Sequence, residues 1–256
     1  MMEFNASKCY ILPIRKKSSH FYQLNNVILK EVTTNPYLGL SISNDLKWSA
    51  HINGVCGKAS STLGFVRRNL QDCPKQTRHM AYLSLVRSLL EYGSSIWDPH
   101  TQKEIAMLES VQRQAARFIT RDYRSRDPGS MSRMLKELNL PTLQQRRKNS
   151  RLTFLYKIAE GLTPAIPPEL YLESQTSKRK IKAKKFDEFA TKNIVENFEI
   201  NNSRAFKIPK NNGTDQYKYS FFVRTIPEWN SLDNQTVTAG SLDIFKARLS
   251  SDSFPQ

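Results

Sequence analysis

The chain has 256 residues, enough for one or two domains. Its 39 Lys and Arg against 23 Asp and Glu give a net charge of +16, which says little about fold but favours polyanionic partners, nucleic acid first and acidic membrane surfaces second. No apolar run approaches the ~18 residues of a membrane span, no basic leader precedes an apolar run at the start, and Cys9, Cys56 and Cys73 form no CxxC pair, so the sequence predicts an intracellular protein (nucleus or cytoplasm, not secreted) with no membrane span and no zinc site.

Residues 8–42 read as short strands and turns. "KCYILPI" and "NVILKEV" carry β-branched apolar runs, and "YLGLSI" sets Tyr37, Gly39 and Ser41 against Leu38, Leu40 and Ile42, the alternation of a strand with one buried face. From about Ile52 the period changes to that of a helix. Ala59, Leu63, Val66 and Leu70 form one stripe; Asp72 and Pro74 open a second helix, whose stripe is Met80, Leu83, Val86 and Leu90. A third helix starts at Thr101, where Thr101 and Glu104 have the spacing of a capping box, and its inner stripe is Ile105, Leu108, Gln112, Ala115 and Ile119. Asp127, Pro128 and Gly129 are expected to stop it. A short helix over 131–138 and a long one over 142–160 come next, the latter ended by Gly161 in the left-handed capping role.

The segment between the second and third helices contains Glu91, Trp97, Asp98 and His100, the residue types of an active site. Their placement favours a corner: Glu91 closes one helix, Asp98–Pro99 is turn chemistry, and Thr101 caps the next helix. Trp97 is then a plug between helices, and His100 a solvent-facing histidine with no second metal-type ligand at a useful spacing. No catalytic constellation is predicted.

After Gly161 the chain turns proline-rich ("TPAIPPELY"). It then carries Lys178, Arg179, Lys180, Lys182, Lys184 and Lys185 without an acid, the composition of a flexible tether or a nucleic-acid contact. The polar stretch 186–216 is weakly patterned. "YKYSFFVRTIPEWNSL" is rich in aromatics, and Leu242, Phe245 and Leu249 suit a terminal helix. The predicted fold class is α+β, mainly α. Strands occupy 1–50, a helical domain 51–161, a Pro-rich and basic, partly disordered linker 162–216, and a C-terminal aromatic segment with a short helix 217–256.

On the third helix, at ~100° per residue, Arg113, Arg117, Arg121 and Arg124 fall within roughly 80° of arc, opposite the apolar stripe. Like charges at this spacing repel, by a few tenths of a kcal/mol per pair, and phosphates would neutralise them. Arg146, Arg147, Lys148 and Arg151 add a second basic helix. Together these residues form the predicted nucleic-acid face.

Eight phrases give the sequence a family likeness: "FNASKC", "YLGLSISNDLKWSAHI", "KASSTLGFVRRNL", "LVRSLLEYGSSIWDPH", "LESVQRQAARFI", "LKELNLPTLQQRRKNSRLTFLYKI" and "YSFFVRTIPEWNSL" with "SLDIFKARL". In this order, over most of the chain, they resemble the C-terminal part of the reverse transcriptases of non-LTR retrotransposons of the Jockey-like group. The resemblance implies that 1–50 is the end of a polymerase palm, with Lys8 approaching the incoming nucleotide. It implies that Tyr37, Leu38, Gly39 and Leu40 form a primer-grip-like turn, and that 51–161 is a thumb-like bundle holding template and primer. The implied partners are RNA, DNA or an RNA–DNA hybrid. Enzymes of that family hold two Mg²⁺ on palm aspartates, one in a [FY]-x-D-D hairpin, and no two Asp are adjacent in this sequence. The expectation is a chain without catalytic or metal-binding residues or a cofactor of its own, inactive as a polymerase by itself and retaining at most template–primer binding. Two alternatives stay open: an active polymerase if the palm lies upstream, and a helical protein-interaction protein with no nucleic-acid role.

Overall fold

The structure, a computed structural model, describes residues 4–14, 20–175, 201–210 and 213–251. At 56% helix and 8% strand the protein is mainly helical. It divides into two compact units, Met1–Gln144 and Gln145–Gln256. The division falls inside the long helix after residue 142, not at Gly161 where the sequence placed it. The tract Lys178–Lys185, read as a tether, lies outside the described residues.

The first unit begins with three two-stranded ribbons. Strands β1 (Tyr10–Ile11) and β4 (Lys30–Glu31) pair in parallel; β2 (Gln23–Leu24) with β3 (Val27–Ile28) and β5 (Thr34–Tyr37) with β6 (Leu40–Ser43) pair antiparallel. The run "YLGLSI" is therefore a hairpin and not one continuous strand. Leu38 and Gly39 form its two-residue turn with φ of 47° and 81°, the positive values that such a tight turn demands.

The helices of this unit are α1 (Ser49–Asn69), α2 (Lys75–Ala81), α3 (Ser88–Glu91), α4 (Ser94–Trp97), α5 (Gln102–Thr120) and α6 (Ser130–Glu137). A π-helical stretch, Tyr82–Arg87, joins α2 to α3. Ile52, Cys56, Ala59, Leu63 and Val66 of α1 are buried at steps of three and four, facing the buried Ile105, Leu108, Gln112, Ala115 and Ile119 of α5. Between α2 and α3 the buried residues are Arg78, Tyr82, Val86 and Leu90, spaced by four throughout. A straight α-helix would rotate such a stripe out of register; the wider π turn keeps it aligned. Met80, predicted for that stripe, is exposed instead. Gln112, on the apolar stripe, is satisfied inside the core: Oε1 accepts from the Tyr82 hydroxyl at 2.8 Å and Nε2 donates to the Pro141 carbonyl at 2.9 Å.

The corner before α5 is built as read. Trp97 is fully buried, donates from its indole nitrogen to the Tyr92 carbonyl at 2.7 Å and meets the His51 ring edge-on at 5.2 Å. Thr101 caps α5, its hydroxyl accepting from the Glu104 backbone N–H at 3.4 Å while donating to the Glu104 carboxylate at 2.8 Å. His100 is exposed.

The second unit contains the rest of α7 (Leu143–Ala159), then α8 (Pro168–Tyr171), α9 (Asp215–Lys218), α10 (Phe221–Asn230), α11 (Asn234–Val237) and α12 (Leu242–Ser251). Its core is Leu152, Leu155, Tyr156, Phe206, Ile226, Trp229, Val237 and Phe245, with Tyr156 stacked on Phe245 at 4.4 Å. Residues 201–210, expected as linker, are tied into this core. Phe206 exchanges both backbone hydrogen bonds with the Asn230 side chain, at 2.9 and 2.8 Å, and Ser174 bridges to Phe206. Asn202 donates to the carbonyls of Trp229, Asn230 and Leu232. The Asn202 and Asn230 side chains act here as backbone surrogates.

Candidate nucleic-acid interface

The predicted arginine face of α5 is broken by the way that helix ends. It stops at Thr120, and Arg121 caps it with φ of 60°. The Asp122 carboxylate accepts from the backbone N–H groups of Arg124 at 3.1 Å and Ser125 at 3.0 Å. Bonds from the Ser125 side chain and backbone hold the Asp122 carboxyl below its ordinary range. Arg117 is half-buried and donates to the carbonyls of Asp122 and Ser125, clamping the loop. Arg113 stays exposed on the helix, and Arg124 is exposed on the loop beyond it. The four arginines therefore share no single helical face.

Arg147 and Arg151 do not belong to a solvent-facing surface. They are 1% and 2% exposed, on the stripe that continues through Leu155 and Ile158. The Arg151 Nη2 donates to both Glu228 oxygens, at 2.7 and 2.6 Å, linking α7 to α10 inside the second unit. Arg146 and Lys148 are half-exposed on the flanks.

The turn over 37–40, for which the resemblance implies a primer-grip-like role, carries exposed residues at its tip. Tyr37 is 61% exposed and Leu38 74%, whereas Leu40 is in the core. The Tyr92 hydroxyl donates to the Leu38 carbonyl at 3.0 Å and fixes the turn against the α3–α4 corner. A Cβ on Gly39 would sit 3.1 Å from the Tyr92 ring, and one on Gly93 3.0 Å from Leu40, so both glycines permit this close approach. Lys8 is exposed at the end of a short 3₁₀ turn, Ala6–Lys8.

A basic pocket emerges elsewhere in the first unit. At the C-terminal ends of α1 and α5, a cavity of about 580 Å³ is lined by Arg67, Arg68, Arg78 and Arg121, with Phe118 and Tyr123 as its aromatic wall. Arg121 reaches the Gln71 carbonyl and lies 3.9 Å from the Asp72 carboxylate, the acidic group among the lining residues. Arg67 places its guanidinium carbon 5.7 Å above the Tyr123 ring. Of these arginines, the sequence pattern singled out Arg121 alone. The "RR" of "GFVRRN" in the last turn of a helix was a visible signal for the rim; Arg78, on a buried stripe, gave none.

Among the described residues no three His, Cys, Asp or Glu side chains gather where they could hold a metal ion. None of the described helices is long and apolar enough to cross a membrane. No protein family, curated protein or solved structure matches the chain.

Proposed function

We propose that the protein binds nucleic acid through its phosphate backbone, as a non-catalytic relative of the C-terminal thumb region of non-LTR retrotransposon reverse transcriptases. The observation that carries this reading is the gathering of Arg67, Arg68, Arg78 and Arg121 around one cavity, with Arg113 and Arg124 exposed on the same unit. Arginine offers a planar fork of donors suited to phosphate oxygens. The net charge of +16 draws the polyanion in without reading its sequence. The primer-grip-like turn and Lys8 keep the roles that the resemblance implies, as part of the same proposal.

The test is binding of an RNA–DNA hybrid and of duplex DNA by the whole protein, measured across a salt series. The logarithm of affinity should fall linearly with the logarithm of salt concentration, by ~0.7–0.9 per phosphate contact. Replacing Arg113 and Arg124 by Gln should weaken binding equally for unrelated sequences and flatten the slope by about 1–2 units. Salt-independent binding, or an unchanged slope in the double variant, rejects the reading. A second reading, a protein-interaction role, is favoured by the exposed apolar surface of Tyr37, Leu38 and Tyr92.

A further inference from the structure

Arg78 stands out among the arginines of the cavity. It occupies the first position of the buried stripe that continues as Tyr82, Val86 and Leu90, where the pattern would place an apolar residue, and it is 5% exposed. Its Nε and Nη1 are sealed from solvent and meet no hydrogen-bond acceptor among the described residues. The Phe118 ring lies 5.7 Å from its guanidinium carbon. That ring face offers weak compensation for a charge taken out of water. Burial, reinforced by the neighbouring positive charge of Arg121, disfavours the charged form, so the site is tense without an anion.

The remaining arginines have local reasons for their places. Arg67 and Arg68 lie in the last turn of α1, and Arg121 caps α5 and bonds to the Gln71 carbonyl. Helix C-termini carry partial negative charge and favour cations. Arg78 lies one turn into α2, which begins at Lys75 and runs on into the π-helical stretch, so its own helix brings no C-terminus to its charge, and the ends of α1 and α5 beside the cavity already carry Arg67, Arg68 and Arg121. Fully exposed Asp72 gives the pocket its acid, and it faces Arg121. The cavity is thus a cationic cup with aromatic walls, lined by a guanidinium whose Nε and Nη1 have no acceptor among the described residues.

We propose that this cavity is a phosphoryl-binding site in which Arg78, with Arg68 and Arg121, receives the oxygens of one phosphate group on a nucleotide-sized ligand. A cavity of about 580 Å³ holds more than an inorganic phosphate and suits a nucleotide. Phe118 and Tyr123 supply the apolar wall that such a ligand needs. The phosphate comes either from a free nucleotide or from one residue of a bound strand. The second source rests on the nucleic-acid reading above, and the first does not.

The experiment is thermal unfolding of the whole protein with inorganic phosphate, pyrophosphate, AMP or a single-stranded oligonucleotide, each at matched ionic strength. A phosphate-bearing probe should raise the melting temperature where chloride does not. Arg78→Met keeps the packing against Phe118 and removes the charge. It should abolish that rise and leave the melting temperature without ligand equal or higher. Arg68→Gln, at an exposed position, is the variant that cannot fail by misfolding; it should weaken binding about tenfold or more, the worth of a charged hydrogen bond. A rise with AMP or pyrophosphate identifies a free phosphate ligand. A rise confined to the oligonucleotide and lost in Arg78→Met identifies a strand phosphate. If no phosphate-bearing probe raises the melting temperature, or if both variants bind as the parent does, the site is overturned. The salt series with Arg113 and Arg124 replaced would still decide the nucleic-acid reading separately.

Discussion

Replacing Glu228 by Gln separates a structural from a nucleic-acid role for Arg151. In the native protein one Arg151 nitrogen lies 2.7 and 2.6 Å from the two Glu228 oxygens, and the side chains are 2% and 19% exposed. Burial disfavours the charge on both Arg151 and Arg224, and Glu228 opposes that in each. Glu228→Gln therefore weakens the compensation of two cations at once, the buried Arg151 and the half-buried Arg224. Breaking a buried ion pair costs about 3–5 kcal/mol. The partial exposure of Glu228 admits water at one edge, which places the expected loss nearer ~2–3 kcal/mol. Arg151→Met leaves a carboxylate that water can reach and should cost less, about 1–2 kcal/mol. The double change Arg151→Met with Glu228→Leu should recover most of the loss, because an apolar pair of similar size replaces both charges. Urea unfolding gives these values, and hydrogen exchange in α7 and α10 localises them. Duplex affinity should stay unchanged in Arg151→Met. Weakened binding with unaltered unfolding would refute the argument and return Arg151 to the binding surface.

Trp97→Ala empties the corner between α3 and α5 and should destabilise the first unit by about 3–5 kcal/mol in urea unfolding. Gly93→Ala puts a Cβ 3.0 Å from Leu40 at a φ of 65°, and should cost about 1–2 kcal/mol while speeding exchange of the β5–β6 hairpin amides. His51 is buried, which pushes its pKa below the ordinary 6.5, and burial, then Arg87 and Lys75, do the same for His79. The unfolded chain takes up those protons first, so stability of the first unit is full above about pH 6.5 and falls as pH drops through the lowered values; His51→Gln should flatten part of that fall in a pH series of urea unfolding. The whole protein with primed template, nucleotides and Mg²⁺ should extend no primer above background, as a gel assay would show.

The helical core of the first unit was legible because its stripes obey one rule. Steps of three and four put Ala59, Leu63 and Val66 on one side of α1, and Ile105, Leu108 and Ile119 on the matching side of α5. The corner was legible because its turn and cap residues act locally: Asp98–Pro99 turns, and Thr101 caps. Non-local features were not. The core position of Trp229 depends on asparagine side chains at 202 and 230 bonding to backbone, a use that polar composition does not reveal. The π turn at Tyr82–Arg87 shifts the buried set from Met80 and Leu83 to Arg78 and Tyr82, because one extra residue in the turn changes the helical phase between α2 and α3.

Arginine positions show where reading by charge alone runs out. The arc of Arg113, Arg117, Arg121 and Arg124 assumed an unbroken helix, but Asp122 offered the backbone a competing turn and Arg121 accepted a left-handed φ. Arg117 then became a clamp on that turn, and Arg121 moved to the end of α1. On α7 the basic run "RRKNSR" coincides with the packed stripe, so the same residue type that binds phosphate elsewhere closes an ion pair with Glu228 here. Arg78 has neither fate. It lies on a packed stripe with a cavity beside it, and among the described residues no carboxylate pairs with it. What distinguishes a binding arginine from a structural one is thus whether the fold supplies its counter-charge, and that is decided by elements distant in sequence.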